Sequence, residues 1–133
     1  MGLQNIPLLI ERGWIPKDKE KDIYTTYLAG MFRSMRFGLH EAHGMGTLLQ
    51  YNFIREQGGF VFDEVLEQFH VDWDKIRDSI TKLAQALLIL EGDGSYENVV
   101  QFLDKYGHPD ALTENMVAKL KDIPVDIAPE FKY

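Results

Sequence analysis

Ile23, Tyr27, Met31 and Met35 recur at every fourth position, and Tyr24, Leu28, Phe32 and Leu39 widen the same stripe. Apolar residues at that spacing fall on one side of a helix, so the pattern predicts an amphipathic helix. Asp18 is placed as its N-cap, with Glu20 and Asp22 at the positive end of the helix dipole. Gly38, Gly44 and Gly46 then interrupt the stripe, each at roughly 1 kcal/mol relative to alanine in a helix interior. A break near Gly38 is expected, followed by a second helix from about Glu41 to Gln57 that stops at Gly58-Gly59.

Beyond those glycines the period changes. Phe60-Val61-Phe62 and Gln68 to Val71 read as two short strands, with Asp63 to Glu67 as the turn between them and Leu66 fitting that turn least well. Asp72 is placed as the cap of a helix from Trp73 to Glu91. Its buried stripe is Ile76, Ile80, Leu83, Leu87 and Leu90, and Gly92-Asp93-Gly94 ends it. Ser95 caps a further helix through Tyr106, Gly107 and Pro109 stop it, and Thr113 opens a last short helix to about Leu120. At the front, Pro7 is tolerated only in a first helical turn, so either a helix starts near Ile6 or the chain begins partway through an element, and Gly13 and Pro16 mark the turn after it. The tail from Ile123 to Tyr133 alternates apolar residues between two prolines and is expected to run extended as a strap over the body. The fold class that follows is mainly α, a helical bundle-like domain with one short β-hairpin. With no repeat and no linker, residues 1–133 are expected to form a single domain.

Composition narrows what this domain does. A chain of 133 residues with 45% hydrophobic content has enough material for a core. A formal net charge of −7 argues against a nucleic-acid surface. No apolar run approaches the ~20 residues needed to span a bilayer, so no membrane partner is expected. The first residues lack the basic start and long apolar run of a signal peptide. The absence of cysteine excludes disulfide and thiolate chemistry and accords with a cytoplasmic location.

The candidate chemistry lies in FRSMRFGLHEAHGMG, residues 32–46. Arg33, Arg36, His40 and His43 are spaced by three, four and three, which on an unbroken helix would put them on one face. Such a face holds an anion, donates protons or ligates a metal. HEAH at 40–43 resembles the zinc motif HExxH, but its histidines are three apart where that motif needs four. A third ligand is also lacking, since His70 and His108 are distant in sequence. A small metal-binding protein using His40, Glu41 and His43 is therefore a minor reading. The plainer alternative for the arginines is a set of solvated helix charges, or partners for Glu41 and Asp22. Gly44 and Gly46 weigh against a plain surface, because a helix accepts glycine where a ligand or another backbone approaches closely.

TYLAGMFRSMRFGLHEAHGMGTLLQYNFIREQGGF, residues 26–60, resembles a C-terminal helical segment of the dipeptidyl peptidase III family of zinc metallopeptidases, in particular its bacterial zinc-dependent hydrolase branch. The resemblance continues through VDWDKIRDSITKLAQALLILEGDGSYENVVQFLDKYG to LKDIPVDIAPEF, and so covers nearly the whole chain. It implies an enzyme that removes dipeptides from the N-termini of short peptides with a zinc-activated water. In the family two histidine ligands and the catalytic glutamate share one helix, in a motif one residue longer than HExxH, and a third ligand comes from an EExxAD-like helix. Neither motif is present here. The opening GLQNIPLLIERG resembles the end of the helix that carries the third ligand. The chain then corresponds to a fragment, with zinc in the full-length protein, its ligands outside this chain and none expected within it. Some relatives in the bacterial branch carry other N-terminal domains, including Nudix-like ones.

The same resemblance assigns roles. His43, in EAHG, matches a family histidine near the zinc that binds substrate or steadies the transition state. Thr47 stands where the family has an arginine. Arg33, Arg36, His40, Glu41 and Thr47 are the candidate substrate-binding residues around His43. The expected partners are a peptide substrate and the remainder of the same peptidase chain, with self-association of the fragment through apolar surface. The fragment alone is expected to be inactive. The alternative from a different class is a free-standing helical module whose Arg/His face binds an acidic peptide or protein.

Overall fold

The break at Gly38 divides the long apolar stripe into two helices and sets the layout of the molecule. A computed structural model describes residues 2–124 and Lys132. The elements are a 3-10 turn at Gly2–Asn5, α1 (Ile6–Glu11), a 3-10 turn at Lys17–Lys19, α2 (Glu20–Met35), α3 (Ala42–Glu56), β1 (Phe60–Asp63), β2 (Gln68–Val71), α4 (Ile76–Asp93), α5 (Tyr96–Tyr106) and α6 (Ala111–Ala118). Among the described residues the fold is mainly α with one antiparallel hairpin. Pro7 lies in the first turn of α1, where its missing N–H is harmless. None of the described helices is long and apolar enough to cross a membrane.

α3 runs through the middle of the core. Its Leu48, Tyr51 and Ile54 are fully buried, against Tyr24, Leu28, Met31 and Met35 of α2 and Ile76, Ile80 and Leu83 of α4. Each such side chain contributes about 1.5–3 kcal/mol by leaving water. The hairpin closes one end, with Phe60 paired to Val71 and both buried in the same cluster. Asp63 makes its turn, because Oδ1 accepts from the backbone N–H of Val65 at 2.8 Å and of Leu66 at 2.9 Å. Leu66 is exposed at the tip, which removes its conflict with the turn.

Two capping expectations and one helix start change. Asp18 does not cap α2. The 3-10 turn runs straight into the helix, Lys19 already has helical angles (φ −84°, ψ −9°), and no extended residue is left to turn a side chain back onto the first N–H groups. α6 opens at Ala111, two residues before Thr113, and Asp110 caps it. Asp110 is extended (φ −87°, ψ 167°) after Pro109, and its Oδ1 accepts from Thr113 N at 2.8 Å and Thr113 Oγ1 at 2.6 Å. Asp72 does cap, but it caps a lead-in turn through Asp74 N (3.0 Å) and Lys75 N (3.1 Å), so that α4 proper starts at Ile76. Ser95 caps α5 by accepting from Asn98 N, and Gly94 ends α4 in the left-handed conformation (φ 59°). The expected strap lies outside the described residues beyond Pro124, Lys132 excepted.

Candidate functional site

The corner between α2 and α3 is built from backbone. Gly38 N–H donates to Met35 O at 3.2 Å, and Glu41 N–H donates to Gly38 O at 3.3 Å. Glu41 is then extended (φ −77°, ψ 147°) and Met45 N–H donates to its carbonyl at 2.8 Å, which starts α3. Gly38 has φ 142°, a conformation open to glycine. Gly44 packs directly on this corner, since a Cβ there would lie 1.8 Å from Gly38 O and 2.8 Å from its carbonyl carbon. Its glycine is thus explained by the approach of another backbone. Gly46 is different, because a Cβ there would meet nothing within 4 Å.

His43 is exposed in the first turn of α3, His40 and Glu41 are exposed in the corner, and Glu41 makes no side-chain cap. Thr47 lies one turn after His43 on the same side of α3, and its Oγ1 donates to His43 O at 2.9 Å. Thr47 also lines a groove of about 280 Å³ between α2 and α3, with Tyr27, Gly30, Met31, Ser34 and Gln50. Tyr27 Oη donates to Gln50 Oε1 at 3.1 Å, and Gln50 Nε2 donates to Gly46 O at 3.0 Å. Burial pushes the Tyr27 phenol up to about 12, so it remains a hydroxyl donor at neutral pH.

Arg33 and Arg36 go elsewhere. With Ala29 and Phe32 they line a cavity of about 330 Å³ closed by Met116, Leu120, Ile123 and Pro124. Arg36 Nη2 donates to Ile123 O at 2.5 Å, and the Arg33 guanidinium stands 5.8 Å from the Phe37 ring centre. Residues 29, 32, 33 and 36 share one side of α2, and 27, 30, 31 and 34 share the other, which meets Thr47. The single face of Arg33, Arg36, His40 and His43 therefore does not exist. It required an unbroken helix, and α2 ends at Met35. The structure places His43 and Thr47 on one side of the start of α3, with Glu41 at its N-cap position, and puts both arginines in a different cavity from Thr47.

Among the described residues no three His, Asp or Glu side chains group so as to hold a metal ion. His40 and His43 flank the start of α3 with no third ligand grouped beside them among the described residues, so these residues by themselves do not fit a zinc site. Sequence reasoning missed Tyr27 and Gln50, which share the groove with Thr47. The signal was present in part, since Gln50 follows Thr47 by three positions and falls on its side of α3 once the helix start is known.

A helical region of the dipeptidyl peptidase III type is what this fold and corner resemble. DPP III from Caldithrix abyssi superposes with a TM-score of 0.91 at 37% identity, over 98% of this chain and 25% of that one. Dipeptidyl-peptidase III from Corallococcus sp. strain EGB gives 0.88 at 36% identity, over 97% of this chain and 24% of that one. Nudix hydrolase 3 of Arabidopsis thaliana is 39% identical over 135 residues, which cover 98% of this chain and 17% of the relative. The chain thus spans a quarter or less of the proteins it matches. No protein-family model matches it.

Proposed function

We propose that this chain is the substrate-cleft portion of a zinc-dependent peptidase of the dipeptidyl peptidase III type, and that His43 is its reacting residue. Residues 1–133 serve as one helical unit of that larger protein, with the zinc ligands outside it. The observation that carries the reading is the match to two solved dipeptidyl peptidases III over nearly the whole chain, at 36–37% identity. The relative named a Nudix hydrolase supports the coarser statement, a hydrolase, and leaves the bond cleaved to the structural matches.

His43 has the properties this role needs. It is exposed in the first turn of a helix whose Leu48, Tyr51 and Ile54 are fully buried. An imidazole there donates a hydrogen bond to a peptide carbonyl oxygen as negative charge builds on it, or passes a proton to the departing amine. Glu41 and His40 flank it, and Thr47 forms the wall one turn on. Thr47 supplies a neutral hydroxyl where the family has a cation, and Arg33 and Arg36, on the far side of α2, do not replace that charge. Anchoring of a substrate carboxylate at this position is therefore weak in this protein. The reading of a free-standing module that grips an acidic partner loses its basis for the same reason, because the arginines and histidines do not share a face.

The test is a chimera in which this chain replaces the matching quarter of the Caldithrix abyssi protein. We expect zinc-dependent release of dipeptides from a dipeptidyl substrate by the chimera, and none by the 133-residue chain alone. Zinc-dependent turnover by the isolated chain, or a folded, zinc-loaded chimera without turnover, would refute the proposal.

A further inference from the structure

We infer that Gly44 is a positioning residue for His43, acting through its backbone contact with Gly38. The catalytic part of this inference rests on the role proposed for His43, whereas the geometric part does not. α3 begins without a side-chain cap, and the ring of His43 is exposed. What holds the first turn in place is therefore main chain: Glu41 N–H on Gly38 O, Met45 N–H on Glu41 O, and Gly44 seated on the Gly38-Leu39 peptide. His43 is the residue directly before that seat.

Both partners of the contact are restricted to glycine for separate reasons. Gly38 has φ 142°. At position 44 a Cβ would stand 1.8 Å from Gly38 O, where carbon and oxygen need roughly 3–3.5 Å. Gly44→Ala must then push the two segments apart by more than about 1 Å. The later part of α3 cannot absorb this, because Leu48, Tyr51 and Ile54 are fully buried. The movement falls on residues 38–44 and carries His43 with it. Gly46, two residues further on, gives the contrast: it faces open space, and an alanine there leaves the corner as it is.

Two measurements separate the geometry from the chemistry. By NMR on the 133-residue chain, Gly44→Ala should shift the His43 ring signals and the amides of 38–43, while the contacts between the Tyr51 and Phe60 rings persist. Gly46→Ala should leave the His43 ring signals unchanged. In the chimera, Gly44→Ala should lower kcat about 100-fold with KM within about threefold. In a His43→Ala background the same change should cost little more, since a residue acting through His43 has nothing left to position. Gly38→Ala strains the same corner from its other side, through its φ of 142° and a Cβ that meets the flexible Glu41 side chain at 2.9 Å, and should move the same signals if Gly44→Ala fails to fold. Unshifted His43 signals in a folded Gly44→Ala or Gly38→Ala variant would overturn the inference. So would an equal loss of kcat with and without His43, which marks a purely structural role. An inactive chimera bears on the proposed function and leaves the NMR result standing.

Discussion

The two ends of α3 are held in different ways. Toward its C-terminus rings surround it: Tyr51 lies 5.3 Å from Phe32, 5.6 Å from Phe69 and 6.1 Å from Phe60, and Phe53 lies 5.1 Å from Tyr106. Polar latches reinforce that end. Asn52 Nδ2 donates to the carbonyls of Tyr106 and His108 at 2.9 Å each, Arg55 pairs with Asp110 at 2.7 Å, and Tyr106 Oη donates to Glu56. At the N-terminus no side chain caps the helix, His43 is exposed, and a glycine-on-glycine backbone contact sets the start. A rod clamped at one end presents a precisely placed but accessible group at the other, which is what a reacting side chain requires.

The largest effect that separates the ends should come from the clamp. Phe53→Ala removes the ring on which Phe102 and Tyr106 of α5 rest and should cost about 3–5 kcal/mol in denaturant unfolding. A loss under about 1 kcal/mol would mean that α5 is not part of the clamp. At the open end the sign reverses. Gly46→Ala adds a methyl group where a Cβ meets nothing within 4 Å, so it should raise stability by up to about 1 kcal/mol. A destabilised Gly46→Ala would show that something in this chain does pack on that face.

The smallest effect is the response of the clamp to acid. The Tyr106 hydroxyl, and after it the Lys105 ammonium, donate to Glu56 and hold its carboxyl below its ordinary 4.5. A carboxylate depressed in the folded state contributes stability that is present above its unfolded value and lost as pH falls through the folded one. Glu56→Gln should therefore reduce the fall in stability on acidification below about pH 4.5, while changing little above pH 6 beyond a constant offset. An acid limb as steep as that of the native chain would remove Glu56 from the latch.

Much of this was legible in the sequence, and the failures have physical causes. The four-residue period of α2, the break at Gly38, the strand pair and the cap at Ser95 are local signals, and they appear where the pattern put them. Asp18 misleads because a cap depends on the backbone angles of one residue, which the 3-10 turn before α2 makes helical, and Thr113 misplaces a helix start that the extended Asp110 sets two residues earlier. The shared face of Arg33, Arg36, His40 and His43 misleads for a related reason. It carried helical periodicity across a break that the same glycines announced. A close approach at Gly44 was legible, but its partner Gly38 was not, since the contact joins backbone across a corner whose angle no periodicity specifies.

The central claim is that the exposed histidine at the open end of α3 is the reacting residue. It is tested most directly by kcat of His43→Ala in the active chimera, with unfolding measured alongside. That kcat should fall about 100-fold or more with stability unchanged, because His43 is exposed. A variant that keeps the native kcat would contradict it and move the chemistry away from this corner.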